Sequence, residues 1–144
     1  MNHRVSAILL WLVVFFVAAA QTPLPTNRKQ KSVTGQYRLR QDEFRNRLDV
    51  QQLSGGKIKF QLVALWVSFN NPENIHNGEL QGVVTLEKGL AIFESGTCQI
   101  TMKFTSNKVV ITEGDDNGEC GFGTNVTAAG SYRKIDNRKP KFDF

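Results

Sequence analysis

The chain has 144 residues, a formal net charge of +5 and 40% hydrophobic residues, with only two cysteines and two histidines. That is enough chain for one ordinary domain with a modest core. The His and Cys count is too small, and wrongly spaced, for a structural zinc site.

The chain opens with the basic "MNHR", followed by an unbroken apolar run from Ala7 to Val17 and the small residues Ala18-Ala19-Ala20. A bilayer span needs roughly 20 apolar residues, so residues 1–20 read as a cleaved secretory signal rather than an anchor. No cysteine lies near the cleavage point to carry a lipid. The product is expected to be secreted or periplasmic, without stable membrane insertion. Cleavage removes Arg4 and no acid, leaving 17 basic residues against 13 acidic ones.

Residues 21–33 hold two prolines and several charges, which marks a flexible leader. The domain proper is expected over 34–135. Within it the dominant period is two, the spacing that sends alternate side chains to opposite faces of a strand. In "TCQITMKF", Cys98, Ile100, Met102 and Phe104 share one face, and Thr97, Gln99, Thr101 and Lys103 the other. "KIKFQLVALW" directs Ile58, Phe60, Leu62, Ala64 and Trp66 inward, and "GELQGVVTLEKG" directs Leu80, Gly82, Val84 and Leu86 inward.

Turn residues fall between these runs, at Ser54–Gly56, Gly89, Gly96 and Asn107. The pattern predicts eight strands, at about 34–40, 46–53, 57–66, 78–87, 90–95, 97–105, 108–113 and 126–134. "QDEFRNRLDV" comes nearest to a helix but is short and runs into a turn. Residues 136–144 read as a loose polar tail, in which Phe142 and Phe144 could dock.

An all-β chain of this kind forms a single antiparallel eight-stranded barrel of lipocalin or calycin proportions, or a two-sheet β-sandwich. Gly35-Gln36-Tyr37-Arg38 and Gly130-Ser131-Tyr132-Arg133 bracket almost the whole domain. Matching Gly-x-Tyr-Arg units suit adjacent first and last strands at a barrel seam, with each tyrosine covering the space a glycine leaves.

Cys98 and Cys120 are an even pair in an exported chain, which points to one disulfide, the alternative being two reduced thiols. His76 is the only histidine left after cleavage. It sits in a polar loop without a Gly-x-Ser-x-Gly elbow elsewhere, so a surface role outweighs a catalytic one. Glu113, Asp115, Asp116, Asn117 and Glu119 offer oxygen donors, but their spacing is not that of a calcium loop and a simple turn is favoured. No metal and no cofactor is expected. In "CGFG", Phe122 is placed to plug one end of the core beside the disulfide. Asn125-Val126-Thr127 fits a glycosylation acceptor, relevant in a eukaryotic secretory pathway. The charged stretches lack interleaved stacking aromatics, which argues against nucleic acid.

Cys-Gly-Phe-Gly, Asn-Val and the closing Gly-x-Tyr-Arg-Lys, preceded by "GELQGVVTLEKGLAIFESGTCQITMKF", resemble small exported bacterial domains whose role is uncharacterised, segments of which accompany lysozyme-inhibitor-like modules. The resemblance implies a β architecture and the Cys98–Cys120 pairing, and carries over no functional residue. The functional expectation is a non-enzymatic binding module. It would take a small apolar ligand against Phe60, Trp66, Met102 and Phe104, or an envelope protein. Two alternatives are an inhibitor of a secreted wall-degrading enzyme such as lysozyme, blocking its cleft with the partner loops that hold His76, Asp115 and Asp116, and, more weakly, a hydrolase using His76.

Overall fold

The computed structural model of the chain describes residues 31–114, 120–142 and 144. Eight strands follow in order: β1 (Gly35–Gln41), β2 (Phe44–Gln52), β3 (Lys57–Val67), β4 (Ile75–Glu87), β5 (Leu90–Ser95), β6 (Cys98–Phe104), β7 (Lys108–Glu113) and β8 (Gly130–Asp136). Each pairs antiparallel with the next, and β8 returns to β1, closing a barrel. This decides for the barrel and against the sandwich. "QDEFRNRLDV" is neither helix nor loop: Asp42 and Glu43 form the turn and the remainder pairs in β1 and β2.

Alternation makes the core. Leu48, Val50, Ile58, Phe60, Leu62, Ala64, Ile100, Met102 and Val109 have no exposed surface, while their sequence neighbours mostly face outward. Two inward glycines make room for rings that fill the barrel. A Cβ on Gly78 would lie 2.0 Å from Phe122 Cδ1, and one on Gly82 would lie 3.3 Å from Phe93 Cε2. Phe93 in turn meets Phe60 edge-on at 5.4 Å.

The repeated Gly-x-Tyr-Arg units lie on the paired strands β1 and β8, where Tyr37 stands opposite Lys134 and Arg38 opposite Arg133. Gly35 and Gly130 adopt φ of 149° and 144°, a region that favours glycine. The space beside each is taken by the neighbouring strand and not by tyrosine. A Cβ on Gly35 would meet the Asp136 carbonyl oxygen at 2.1 Å, and one on Gly130 would meet Leu39 Cδ2 at 2.8 Å. Both tyrosines are instead fully buried hooks. Tyr37 Oη donates to the Val33 carbonyl and Tyr132 Oη to the Ala128 carbonyl, each at 2.7 Å and each four residues upstream. Every hook thus pins the segment that enters its strand.

Boundaries differ from the sequence expectation in several places. β2 begins at Phe44 and β4 at Ile75, so His76 lies on a strand, opposite Trp66, and not in a loop. β8 starts at Gly130, because the backbone just before it is committed elsewhere: Thr127 C=O accepts from Asn46 Nδ2 at 2.8 Å, and Ala128 N–H donates to the Glu113 carboxylate. The tail is not loose. Pro140 is buried, and Lys59 Nζ lies 3.9 Å from the Phe144 ring centroid and 4.9 Å from that of Phe142 while donating to the Phe144 main-chain oxygen at 2.6 Å. Among the described residues no helix is long and apolar enough to cross a membrane.

Candidate binding surfaces on a filled barrel

The four aromatic and sulfur side chains expected to meet a ligand divide between the core and one barrel end. Phe60 and Met102 are fully buried, and Phe104 is 8% exposed with its ring edge-on to Tyr37 at 6.0 Å. They pack against the other inward side chains and fill the barrel. Trp66 is half-buried at the end of β3. Its Nε1–H donates to Glu43 Oε2 at 2.9 Å, and its ring lies tilted against that of His76 at 5.3 Å.

His76 belongs to the same end. Its Nδ1 lies 2.6 Å from the Thr124 carbonyl, so that nitrogen carries the proton and donates. Phe122, over Gly78, and the Gly123 N–H bond to Asn77 C=O at 3.1 Å complete a cap drawn across the barrel end. Cys98 and Cys120 are joined in a disulfide with a Cα–Cα distance of 4.6 Å, anchoring the start of this cap to β6. Such a bond belongs to an oxidising compartment. Asp115 and Asp116, with Asn117 and Glu119 of the acidic stretch, lie outside the described residues. Among the described residues no three His, Cys, Asp or Glu groups gather to hold a metal ion.

The loop between β3 and β4 is tightly bonded. Glu43 accepts from Phe69 N–H at 3.1 Å as well as from Trp66, and Val67 N–H donates to the Glu43 carbonyl at 2.9 Å. Asn74 N–H to Asn71 C=O and Ser68 N–H to Asn74 C=O close the loop on itself. It presents Phe69, 65% exposed, beside Ile75, the first residue of β4, 53% exposed.

A second surface lies where the barrel wall is thinnest. β3 and β4 pair over eleven positions, from Lys57↔Thr85 to Val67↔Ile75, whereas β4 and β5 pair only at Leu86↔Ala91 and Glu87↔Leu90. Leu86 N–H donates toward β3, to Gly56 C=O. Backbone groups alternate sides along a strand, so Gln81 and Val83 turn theirs toward β5, where the ladder has stopped. Val83, Leu90 and Ile92, all at least 39% exposed, line the outer groove at this opening, flanked by Lys57, Thr85 and Glu87. These three lie outside the inward set that the period of two marks. The doubled apolars in "GVVTL" and "GLAIF" were the available signal, since a wall with one wet face needs only every second residue apolar.

Burial dominates the electrostatics of the seam. It pushes the Tyr37 phenol up to about 12 and raises that of Tyr132 further, the latter despite the Asn46 amide bonded to it. Asp49 faces outward on β2 yet is buried, close to Pro140 and Arg138 of the tail. Desolvation raises its carboxyl, outweighing the opposite pull of Arg47 and Arg38.

No protein-family model, no curated protein and no solved structure matches the chain. The geometry of these surfaces therefore carries the functional reading.

Proposed function

We propose that the chain is an exported, non-enzymatic binding module, secreted or periplasmic, which takes an envelope protein on the outer groove between β4 and β5. The observation that carries the reading is the lapse of pairing after Leu86↔Ala91 beside exposed Val83, Leu90 and Ile92. An extended segment of a partner laid in that groove meets the open backbone edge of β4 and an apolar floor with a polar rim. Because Phe60, Met102 and Phe104 fill the interior, the reading places a partner outside in preference to a small apolar ligand inside.

The test is a pull-down from envelope extract with residues 21–144, compared with a Val83→Lys/Ile92→Glu variant whose circular dichroism is unchanged. A protein retained by the parent and lost by the variant supports the reading. Equal retention by both, or an apolar small molecule eluting with the domain, refutes it.

A second reading has its own observation. The bonded loop that projects Phe69 suits an inhibitor that inserts into the cleft of a wall-degrading enzyme such as lysozyme, because a rigid loop loses little entropy on docking. Lysozymes of several types unaffected by the purified domain, or inhibited equally by Phe69→Ser, remove that reading.

A further inference from the structure

The wall formed by β7, β8, β1 and β2 gathers like charges that the strand register forces together. Lys108 stands opposite Arg133, Arg133 opposite Arg38, and Arg38 opposite Arg47; one step along, Arg40 stands opposite Arg45. All six point outward, since the alternate residues Tyr37, Leu39, Asn46, Leu48, Val109 and Tyr132 are buried. Neighbouring strands lie about 4.8 Å apart, so the row from Lys108 to Arg47 spans roughly 14 Å. Like charges directly opposite each other destabilise a sheet.

Among the described residues little offsets this repulsion. Asp49 reaches Arg47 at 3.4 Å and Arg38 at 3.8 Å. Arg40, Arg45, Arg133 and Lys108 are exposed and form no ion pair among the described residues. Arg45 is aimed by its own turn, donating to the carbonyls of Asp42 at 2.5 Å and Phe44 at 2.8 Å. Burial lowers the Arg38 guanidinium, and Arg47 and Arg40 add to that shift against the pull of Asp49. Six outward cations of which only Arg47 and Arg38 reach a carboxylate form an unbalanced arrangement that an anionic partner would relieve.

We propose that this wall binds an acidic polysaccharide, a linear chain carrying repeated carboxylate or sulfate groups. Guanidinium forks engage such oxyanions in bidentate pairs, and a two-row array over four strands fits a polymer better than a single small anion. Half-buried Val63 and Leu65 floor the groove beside the arginines. The outward positions of these four strands hold no aromatic ring on which a nucleic-acid base could stack. Their one strongly exposed large apolar side chain, Ile135, is too little to seat the wall in lipid. The surface lies around the barrel from the β4–β5 groove and does not depend on it.

The experiment measures binding of the mature domain to polygalacturonate and to dextran sulfate by titration calorimetry, which separates carboxylate from sulfate as the preferred group. Single-stranded DNA and phosphatidylserine vesicles are run beside them. Two charge-matched variants are compared, Arg40→Gln/Arg45→Gln on the wall and Lys57→Gln/Lys88→Gln away from it. The expected result is saturable, salt-sensitive binding to at least one polysaccharide, weakened about tenfold by the arginine variant and less than about twofold by the lysine variant. Equal loss in the two variants, absence of saturable binding to both polysaccharides, or tighter binding to DNA or vesicles overturns the proposal.

Discussion

The two tyrosine hooks make a prediction that sets them apart from ordinary core residues. Tyr37→Phe removes one hydroxyl bond and leaves the Val33 carbonyl, in a residue only 4% exposed, without its partner. Tyr132→Phe removes two, because the Tyr132 hydroxyl donates to Ala128 C=O and also accepts from Asn46 Nδ2 at 3.0 Å. Ala128 and Asn46 are wholly buried, so neither orphaned group reaches water without local opening. Leaving a buried polar group unsatisfied costs about 1–3 kcal/mol. Tyr37→Phe is therefore expected to destabilise by about 1–2 kcal/mol and Tyr132→Phe by about 2–4 kcal/mol. The ring stays in place in both, which removes cavity formation from the comparison.

Urea unfolding followed by tryptophan fluorescence measures both, because Trp66 is the only tryptophan after residue 20. If Tyr132→Phe costs no more than Tyr37→Phe, the bonding assigned to the seam is wrong.

Three further outcomes follow from the same geometry. Gly35→Ala places a methyl on the Asp136 main-chain oxygen, which cannot swing aside as a side chain does, so thermal unfolding should show a loss above about 2 kcal/mol; near-neutral behaviour would contradict the close approach of β1 and β8. Cys98→Ala/Cys120→Ala opens a loop with a sequence separation of 22 and should cost about 3 kcal/mol by denaturant titration, whereas a loss below about 1 kcal/mol would speak against a constraining bond. The chain has only two tyrosines, both in the seam, and both favour the protonated form when folded. Their stabilisation is fully present below the unfolded value of 10.0 and is lost as pH rises toward about 12, so tyrosinate absorbance should appear together with unfolding; ionisation near 10 in a still-folded domain would refute the burial.

Strand positions were readable because each wall has one dry face, and a period of two survives whatever lies outside it. The start of β8 was not, because Thr127 and Ala128 look extended in sequence, yet their backbone is claimed by Asn46 and Glu113, which are distant along the chain. The tail was partly legible for a related reason: its two phenylalanines marked it as able to dock, but they dock on Lys59, an outward residue of β3 whose place opposite them depends on the closed barrel. The arginine wall was half legible. Arg38 and Arg40 mirror Arg47 and Arg45 about the Asp42–Glu43 turn, so a hairpin alone pairs them, but Arg133 joins the row only through closure. Of the β4–β5 groove only the doubled apolars were legible, because no sequence pattern says where a ladder stops.

Binding on the outer surface of a filled barrel is the central proposal, and chemical-shift mapping by NMR tests it most directly. Titration with polygalacturonate or dextran sulfate should move the signals of Arg38, Arg40, Arg45, Arg47 and Arg133, while a fatty acid should leave the methyls of Leu48, Val50, Ile58 and Leu62 unmoved. Shifts of those inward methyls on adding the fatty acid, or a silent arginine wall with both polysaccharides, would contradict it.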